Sequence, residues 1–371
     1  MNDAAENPHQ QIFHSILLYC RSGFEQECSQ EFLNASKKFG FGAIAIAAKD
    51  SGYVIFRFSS ASSAITCLQS LPFSSFVFSR QMIAASDLIG PLFAGNRINP
   101  LLEVIRRTNQ KYSDIFIETA DTNDAKQLSP LCRKLLAPFA SALKKENILI
   151  DNSLENSADP IRLHIFFTST DHARVGYSSV NNSSSWPMGI PRFKFPAGAP
   201  SRSTLKLEEA FCTFLSREDM ARLLKPGMSA VDLGASPGGW TWQLVSRGLR
   251  VTAVDNGRMD GRVLASGLVQ HIRGDGFAFA PKHPVEWMVC DIVEQPSRIA
   301  KLAARWIGNK WCRRVIFNLK LPMKKRFEEV TRCREIITAE LKRSGGRHEI
   351  WIKQLYHDRE EVTAYLQCVD F

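Results

Sequence analysis

A glycine-rich turn followed at a fixed distance by an acidic residue is the clearest indication of chemistry in this chain. Residues 230–233 are predicted to form a strand that leads into Gly234-Ala235-Ser236-Pro237-Gly238-Gly239. Glycines allow a ligand to lie against bare backbone, and the helix expected next offers free N–H groups. Asp255 ends the following predicted strand, 21 positions after Gly234, where a carboxylate can hold a ribose diol. The pattern predicts a site for an adenosine-bearing cofactor.

Two other kinds of site share part of this pattern but fit it less well. A dinucleotide-binding turn requires glycine where Ser236 stands, so a pyrophosphate is disfavoured. A hydrolase elbow uses the N–H of the residue after its nucleophile, and Pro237 has none. S-adenosylmethionine remains, since it has a ribose, an adenine and a carboxylate but no phosphate. An ordinary strand-to-helix turn is the structural alternative, and the spacing to Asp255 weakens it.

Charged residues occupy the ends of successive predicted strands in the C-terminal half. Ligands of open parallel sheets bind beyond the carboxyl ends of the strands, and those ends carry Asp255, Asp275, Asp291 and Lys320. Singly, each could be a solvated strand end, but together they favour a site. We expect Asp275 to accept the adenine amino group, with Phe277 against the ring. The predicted strands are 230–233, 251–254, 269–272, 287–290, 314–319, 349–353 and 363–368, and the last two should pair as an antiparallel edge hairpin.

Lys320 is the candidate proton acceptor for a sugar hydroxyl. A lysine can take that proton if burial and a neighbouring cation lower its pKa. Lys206 is the candidate neighbour, and Asp291 and Glu361 could orient the amines and the hydroxyl. The alternative for each lysine is a solvent-exposed charge. Methylation of a base is disfavoured, because no Pro-Pro-aromatic turn follows Asp291 and Cys290 has no proline before it.

The composition of the chain limits which compartment and which kind of partner the protein is expected to have. The chain has 371 residues, a net charge of +10 and nine scattered cysteines without a C-x-x-C pair. We therefore expect reduced thiols in a cytoplasmic protein, with no metal site and no membrane span. The positive charge suits a polyanionic partner such as RNA. A non-catalytic RNA-binding protein with a decayed enzyme fold is the rival from another functional class.

The N-terminal half is predicted to alternate strands and helices in two α+β sets. Strands at 16–20, 43–48, 53–58 and 75–79 and helices at 24–38 and 61–71 have the order of a ferredoxin-like unit. The second set comprises helices at 100–109 and 125–145 and strands at 115–119, 162–168 and 173–178, with Pro130 and Pro138 expected to kink or break the longer helix.

Residues 181–201 are predicted to form a linker, because four prolines forbid a continuous helix or central strand. Aromatic side chains interleaved with basic ones are typical of single-stranded RNA contacts. A linker docked on the protein is an equally good interpretation. The residues concerned are Trp186, Arg192, Phe193, Lys194, Phe195 and Arg202.

Lys206, Asp291, Lys320 and Glu361 resemble the Lys-Asp-Lys-Glu tetrad of FtsJ-like Rossmann-type RNA 2′-O-ribose methyltransferases. Beyond the tetrad, the chain resembles the bacterial RlmM family of 23S ribosomal RNA cytidine 2′-O-methyltransferases. This likeness covers nearly everything after the first dozen residues. The segments that carry it are 200–211, 232–240, 317–326 and 355–363, with 20–25 and 71–75 in the N-terminal part.

The resemblance implies a fold, an activity and site residues. It implies a mostly parallel Rossmann-like sheet at 202–371 with an antiparallel edge strand, preceded by a ferredoxin-like domain (15–90) and a THUMP-type RNA-binding domain (91–180). Residues 1–14 are expected to be a flexible extension, for which the resemblance implies no role. It implies Lys320 as proton acceptor, S-adenosylmethionine as cofactor and 23S ribosomal RNA or a large-subunit precursor as partner. We also expect a monomer. The residues implied to contact the cofactor are Ser203, Ser236, Pro237, Gly238, Gly239, Asp255, Asp275 and Asp291.

Overall fold

Two compact units make up the chain, one ending at Pro191 and the other beginning at Arg192. The structure is a computed structural model that describes residues 12–150 and 159–369. Most of the predicted extension at 1–14 therefore lies outside the described residues. Each unit contains a seven-stranded sheet, and the two sheets give the mixed α/β class that the sequence predicts.

The N-terminal unit carries a sheet of order β2-β3-β1-β4-β7-β6-β5. Its first four strands have ferredoxin-like order and pair antiparallel, as predicted. Strands β4 and β7 also pair, so the strands of the two predicted N-terminal domains form one sheet. The strands are β1 (Ser15–Cys20), β2 (Ala43–Ile46), β3 (Tyr53–Phe58), β4 (Ser79–Ala85), β5 (Asp114–Thr119), β6 (Ile161–Phe167) and β7 (Ala173–Ser179); the helices are α1 (Glu25–Lys38), α2 (Ala61–Ser70), α3 (Ile98–Thr108) and α4 (Ser129–Lys145).

The strand predicted at 75–79 is wrong. Phe73–Ser75 is a 3₁₀ turn, and β4 begins only at Ser79. The buried carboxylate of Glu31 accepts the backbone N–H groups of Val77 at 2.7 Å and Phe78 at 3.0 Å. Those N–H groups are satisfied by a side chain and are not available to a neighbouring strand.

The predicted linker packs on the N-terminal unit over its first half. The carbonyl of Ser184 accepts hydrogen bonds from Arg162 at 2.8 Å and from Gln81 at 3.1 Å. Glu118 accepts the N–H of Met188. These contacts support the docked interpretation for this part of the segment.

The C-terminal unit carries a sheet of order β10-β9-β8-β11-β12-β14-β13. Strands β8 to β12 are parallel, β14 runs antiparallel to β12, and β13 pairs with β14 at the edge, as predicted. The strands are β8 (Ser229–Leu233), β9 (Arg250–Val254), β10 (Val269–Ile272), β11 (Val285–Cys290), β12 (Cys312–Lys320), β13 (His348–Lys353) and β14 (Glu361–Cys368); the helices are α5 (Thr204–Phe214), α6 (Arg217–Leu223), α7 (Gly239–Val245), α8 (Gly261–Leu264), α9 (Pro296–Gly308) and α10 (Arg326–Ser344).

Aromatic packing fixes this sheet against α5. Trp287 on β11 is buried, stacks on Tyr365 at 6.0 Å between ring centroids, and meets Phe211 of α5 edge-on at 5.7 Å. Buried aromatic pairs of this kind add about 0.5–1.5 kcal/mol beyond the area that they bury. Helix α5, which carries Lys206, is therefore held on the sheet by its own apolar face.

All nine cysteines are free thiols. Across residues 12–150 and 159–369, every helix is too short or too polar to span a bilayer. Within the same ranges, His, Cys, Asp and Glu side chains form no group of three that could hold a metal ion.

Candidate active site

The glycine-rich turn connects β8 to α7, as predicted, and close packing explains its glycines. Gly234 has a φ of 76°, in the left-handed region, and a Cβ there would collide with Ile292. A Cβ on Gly239 would collide with the hydroxyls of Ser203 and Ser201. Ser203 therefore lies against the turn, and its hydroxyl is 2.7 Å from that of Ser201.

Asp255 lies beside the turn. Its carboxylate accepts the N–H groups of Ser236 at 3.1 Å and Gly257 at 2.6 Å. Each oxygen keeps a further lone pair, so the carboxylate is fixed in position and can still accept hydroxyl groups. The hydrogen bond from Ser236 joins the loop after β8 to the end of β9, and the one from Gly257 lies within the loop that follows β9.

An open groove of about 520 Å³ runs past these groups. Arg298 lies over the ring of Phe277, 4.7 Å from its centroid, so a cation already covers one face of the ring expected to meet adenine. The groove has a carboxylate suited to a ribose (Asp255) and one suited to the amino group of adenine (Asp275). It also offers bare backbone and apolar side chains, so its chemistry fits S-adenosylmethionine. The groove is lined by Gly234, Ser236, Val254, Asp255, Asn256, Gly274, Asp275, Gly276, Phe277, Asp291, Ile292, Val293, Glu294 and Arg298.

Lys206, Asp291, Lys320 and Glu361 come together although they are far apart in sequence. The Nζ atom of Lys320 donates to Asp291 at 2.7 Å and to Glu361. Lys206 donates to Glu361 and lies 3.7 Å from Asp291. The two amines thus face the same two carboxylates, and each carboxylate contacts both amines. Lys320 is the last residue of β12 and pairs with Glu361, the first of β14.

The protonation of Lys320 differs from the expectation. Burial lowers the pKa of Lys320, but the charges and hydrogen bonds of Asp291 and Glu361 raise it, and the net pKa lies above its ordinary value. The expected depression of this pKa is wrong, because the effect of two contacting carboxylates outweighs that of burial. In this arrangement Lys320 is an ammonium group that must lose its proton before it can accept one.

A buried hydrogen-bond chain behind Asp291 was missed from the sequence. Asn318 is fully buried, donates to Asp291 at 2.9 Å, and accepts from Thr363 at 2.8 Å. Thr363 also lies 3.0 Å from Asp358. Burial and the charge of Glu361 raise the pKa of Asp358 well above its usual range, so its protonated carboxyl can donate to Thr363. The sequence held one indication of this chain: Asn318 is a polar residue within the apolar strand β12, and a buried polar side chain needs hydrogen-bond partners.

Helix α5 is tied to the turn before β14 by Glu209. This buried carboxylate accepts the backbone N–H groups of Tyr356 at 2.7 Å and His357 at 2.9 Å, and it contacts His357 Nδ1 at 2.6 Å. Lys206 lies three residues before Glu209 on α5, and Glu361 follows the same turn. Glu209 therefore fixes the two elements that bring Lys206 to Glu361.

Cys290, at the end of β11, is fully buried beside the site. Burial raises the pKa of its thiol to about 12. A thiol with that pKa is protonated at neutral pH and is a poor nucleophile. This supports the interpretation of Cys290 as a core residue.

Comparison with known proteins identifies the family. Family models match at residues 13–83 (RlmM ferredoxin-like domain), 96–179 (Ribosomal RNA large subunit methyltransferase M, N-terminal) and 199–315 (FtsJ-like methyltransferase). Ribosomal RNA large subunit methyltransferase M of Methylococcus capsulatus is 49% identical over 96% of this chain and 98% of the relative. The protein of the same name from Cellvibrio japonicus is 48% identical over 95% and 99%. This chain belongs to the ribosomal RNA large subunit methyltransferase M family. It is a methyltransferase that uses S-adenosylmethionine.

Among solved structures, fibrillarin of Aeropyrum pernix, crystallised with bound S-adenosyl-L-methionine, is similar over 54% of this chain and 81% of that chain. Its sequence identity is 16% and its TM-score 0.30.

Proposed function

We propose that this protein transfers a methyl group from S-adenosylmethionine to the 2′-hydroxyl of a cytidine in 23S ribosomal RNA, with Lys320 as the proton acceptor. Membership of a ribosomal RNA methyltransferase family supports the RNA substrate. The observation that carries the ribose assignment is the convergence of Lys206 and Lys320 on Asp291 and Glu361 at the end of the cofactor groove.

The cofactor would lie in the groove, and it supplies an electrophilic methyl group when bound. Asp255 is suited to its ribose, Asp275 to its adenine amino group, and the backbone of Gly238 and Gly239 to close approach by its amino-acid part. The proposed contacts also include Ser203, Ser236, Pro237 and Asp291. Asp291 belongs to both the groove and the tetrad, so it links cofactor and proton acceptor.

In the transfer itself, the ribose oxygen attacks the methyl carbon in line. An O–C bond forms, the S–C bond breaks with its electron pair remaining on sulfur, and the hydroxyl proton passes to the neutral amine of Lys320. Asp291 and Glu361 orient that amine, and the ammonium of Lys206 places a positive charge near the negative charge that develops on the ribose oxygen. The regenerated ammonium of Lys320 returns to the two carboxylates.

The N-terminal unit is proposed to bind the RNA, with residues 91–180 as a THUMP-type domain. We propose that the protein works as a monomer in the cytoplasm, without a metal, on 23S RNA or a large-subunit precursor. The positive charge of the whole chain, +10, favours such a polyanionic partner.

Methylation of a base is the competing function, and the product distinguishes the two. RNA from a strain that lacks this gene is incubated with the protein and labelled S-adenosylmethionine, then hydrolysed with alkali. A 2′-O-methyl group blocks attack on the neighbouring phosphate, so we expect the label in an alkali-resistant dinucleotide. Label released entirely as mononucleotide would overturn ribose methylation, and an absence of label would support a protein that only binds RNA.

A further inference from the structure

Two strongly exposed apolar side chains lie next to the tetrad. Among the described residues of the C-terminal unit, Met323 and Val293 are the most exposed large hydrophobic residues, at 88% and 83%. Val293 comes two positions after Asp291, and Met323 three positions after Lys320. They follow β11 and β12, which are paired parallel neighbours, so both lie at the edge of the sheet that carries the site. Isolated exposed apolar residues are common, but two beside a reacting centre indicate a ligand-binding surface.

The segment Pro322, Met323, Lys324 and Lys325, which we call the β12 loop, is held at both ends. At its start the N–H of Leu321 donates to the carbonyl of Glu360 at 2.7 Å. At its end Arg326, whose side chain is only 15% exposed, pairs with the carboxylate of Glu360 at 2.7 Å. The loop is thus anchored to the residue that precedes Glu361. Its exposed side chains are presented from a fixed backbone.

Charge on the β12 loop is positive and unpaired. Lys324 and Lys325 are both exposed, and neither forms an ion pair with another described residue. Lys325 has a φ of 58°, in the left-handed region that side chains other than glycine rarely adopt. An apolar side chain flanked by lysines suits a nucleotide, because a base or sugar offers an apolar face and its phosphates are negative.

We infer that the β12 loop positions the target nucleotide: Met323 packs against its base or ribose, Val293 adds apolar surface at the end of the neighbouring strand, and Lys324 and Lys325 hold the adjoining phosphates. This inference rests on the proposed function, because it assumes an RNA ribose at Lys320. Met323 is a positioning residue and takes no part in proton transfer. The flexible thioether of methionine adapts to such a surface.

The test compares Met323→Ala, Met323→Leu and the double variant Lys324→Ala/Lys325→Ala with wild type. Val369→Ala is the matched control for Met323, and Lys310→Ala for the lysines. Lys310 has the same left-handed backbone, with a φ of 54°. Both control residues lie at the opposite edge of the sheet, since Lys310 precedes β12 and Val369 follows the antiparallel β14.

We expect Met323→Ala to raise the KM for protein-free ribosomal RNA about tenfold, the cost of roughly one stacking contact. Met323→Leu should restore most of the affinity for RNA. For both Met323 variants, calorimetry should give the same Kd for S-adenosylmethionine as for wild type. The double variant should reduce the slope of log affinity against log salt by about 1.4, or about 0.7 for each phosphate contact to single-stranded RNA. The control variants should leave all three quantities unchanged.

Three results would overturn the inference. The first is a KM for Met323→Ala equal to that of Val369→Ala. The second is an unchanged salt slope in the double variant. The third is a defect seen only on precursor particles and not on protein-free RNA, which would assign the loop to a protein partner. If wild type itself forms no 2′-O-methyl product, the proposed function fails instead, so the two failures are distinguishable.

Discussion

Lys320 is held by two carboxylates that raise its pKa, and this defines its chemistry at the scale of single residues. A proton acceptor must be neutral, so the active fraction grows as pH rises towards the pKa of Lys320. The buried chain through Asn318 and Thr363 fixes Asp291 and hence one of the partners of Lys320. The pH dependence of methyl transfer therefore reports on these contacts.

The rate of methyl transfer is expected to rise with pH in the wild-type protein. Below the pKa of Lys320, each pH unit increases the neutral fraction by about tenfold. Glu361→Gln removes one negative charge that stabilises the ammonium form, so its profile should shift towards lower pH. Single-turnover rates from about pH 6 to about pH 9 measure this in both proteins. Coincident profiles, or a rate that falls with pH, would be inconsistent with Lys320 as the base.

At the scale of elements, most of the fold was predictable and part of the site was not. Short apolar segments that alternate with amphipathic ones predicted every strand of the C-terminal sheet. The glycine-rich sequence at 234–239 predicted the loop after β8. The strand at 75–79 failed because the carboxylate of Glu31, distant in sequence, takes the N–H groups of Val77 and Phe78. The predicted direction of the pKa shift of Lys320 was wrong for the same reason, because that direction depends on which side chains the fold brings into contact.

Glu209 connects two of these elements, and its removal should loosen both. Glu209→Ala removes a buried carboxylate and leaves the partly buried N–H groups of Tyr356 and His357 without their acceptor, at a cost of about 2–4 kcal/mol in the free energy of unfolding. Methyl transfer should fall further than cofactor affinity, because α5 carries Lys206. Urea unfolding followed by tryptophan fluorescence measures the loss of stability.

Glu340→Ala is the control for Glu209→Ala. Glu340 is partly exposed and pairs with the exposed Arg343 at 3.1 Å within one helix, a kind of ion pair that contributes at most about 1 kcal/mol. Equal stability of the two variants would show that Glu209 does not hold α5 to the turn.

For the whole molecule, the positive net charge of +10 is the property that bears most on RNA binding. The tetrad and the groove can contact only small chemical groups, but a long RNA meets the summed charge of the protein. Binding to RNA therefore releases counterions, and its affinity depends on the salt concentration. S-adenosylmethionine carries no phosphate, so its affinity should depend little on salt.

The affinity for ribosomal RNA is expected to fall by at least about tenfold between about 50 mM and about 200 mM salt. The affinity for S-adenosylmethionine should change by less than about twofold over the same range, as expected for a ligand without phosphates. Fluorescence anisotropy with labelled RNA and calorimetry with the cofactor provide the two measurements. Salt-independent RNA binding would contradict an interface dominated by phosphate contacts.

The role of Lys320 is tested most directly by methyl transfer to ribosomal RNA by Lys320→Ala, with cofactor binding measured on the same preparation. We predict that 2′-O-methylation is lost while the Kd for S-adenosylmethionine stays within about twofold of wild type, because Lys320 lies outside the groove residues. Full ribose methylation by Lys320→Ala would contradict its assignment as the proton acceptor.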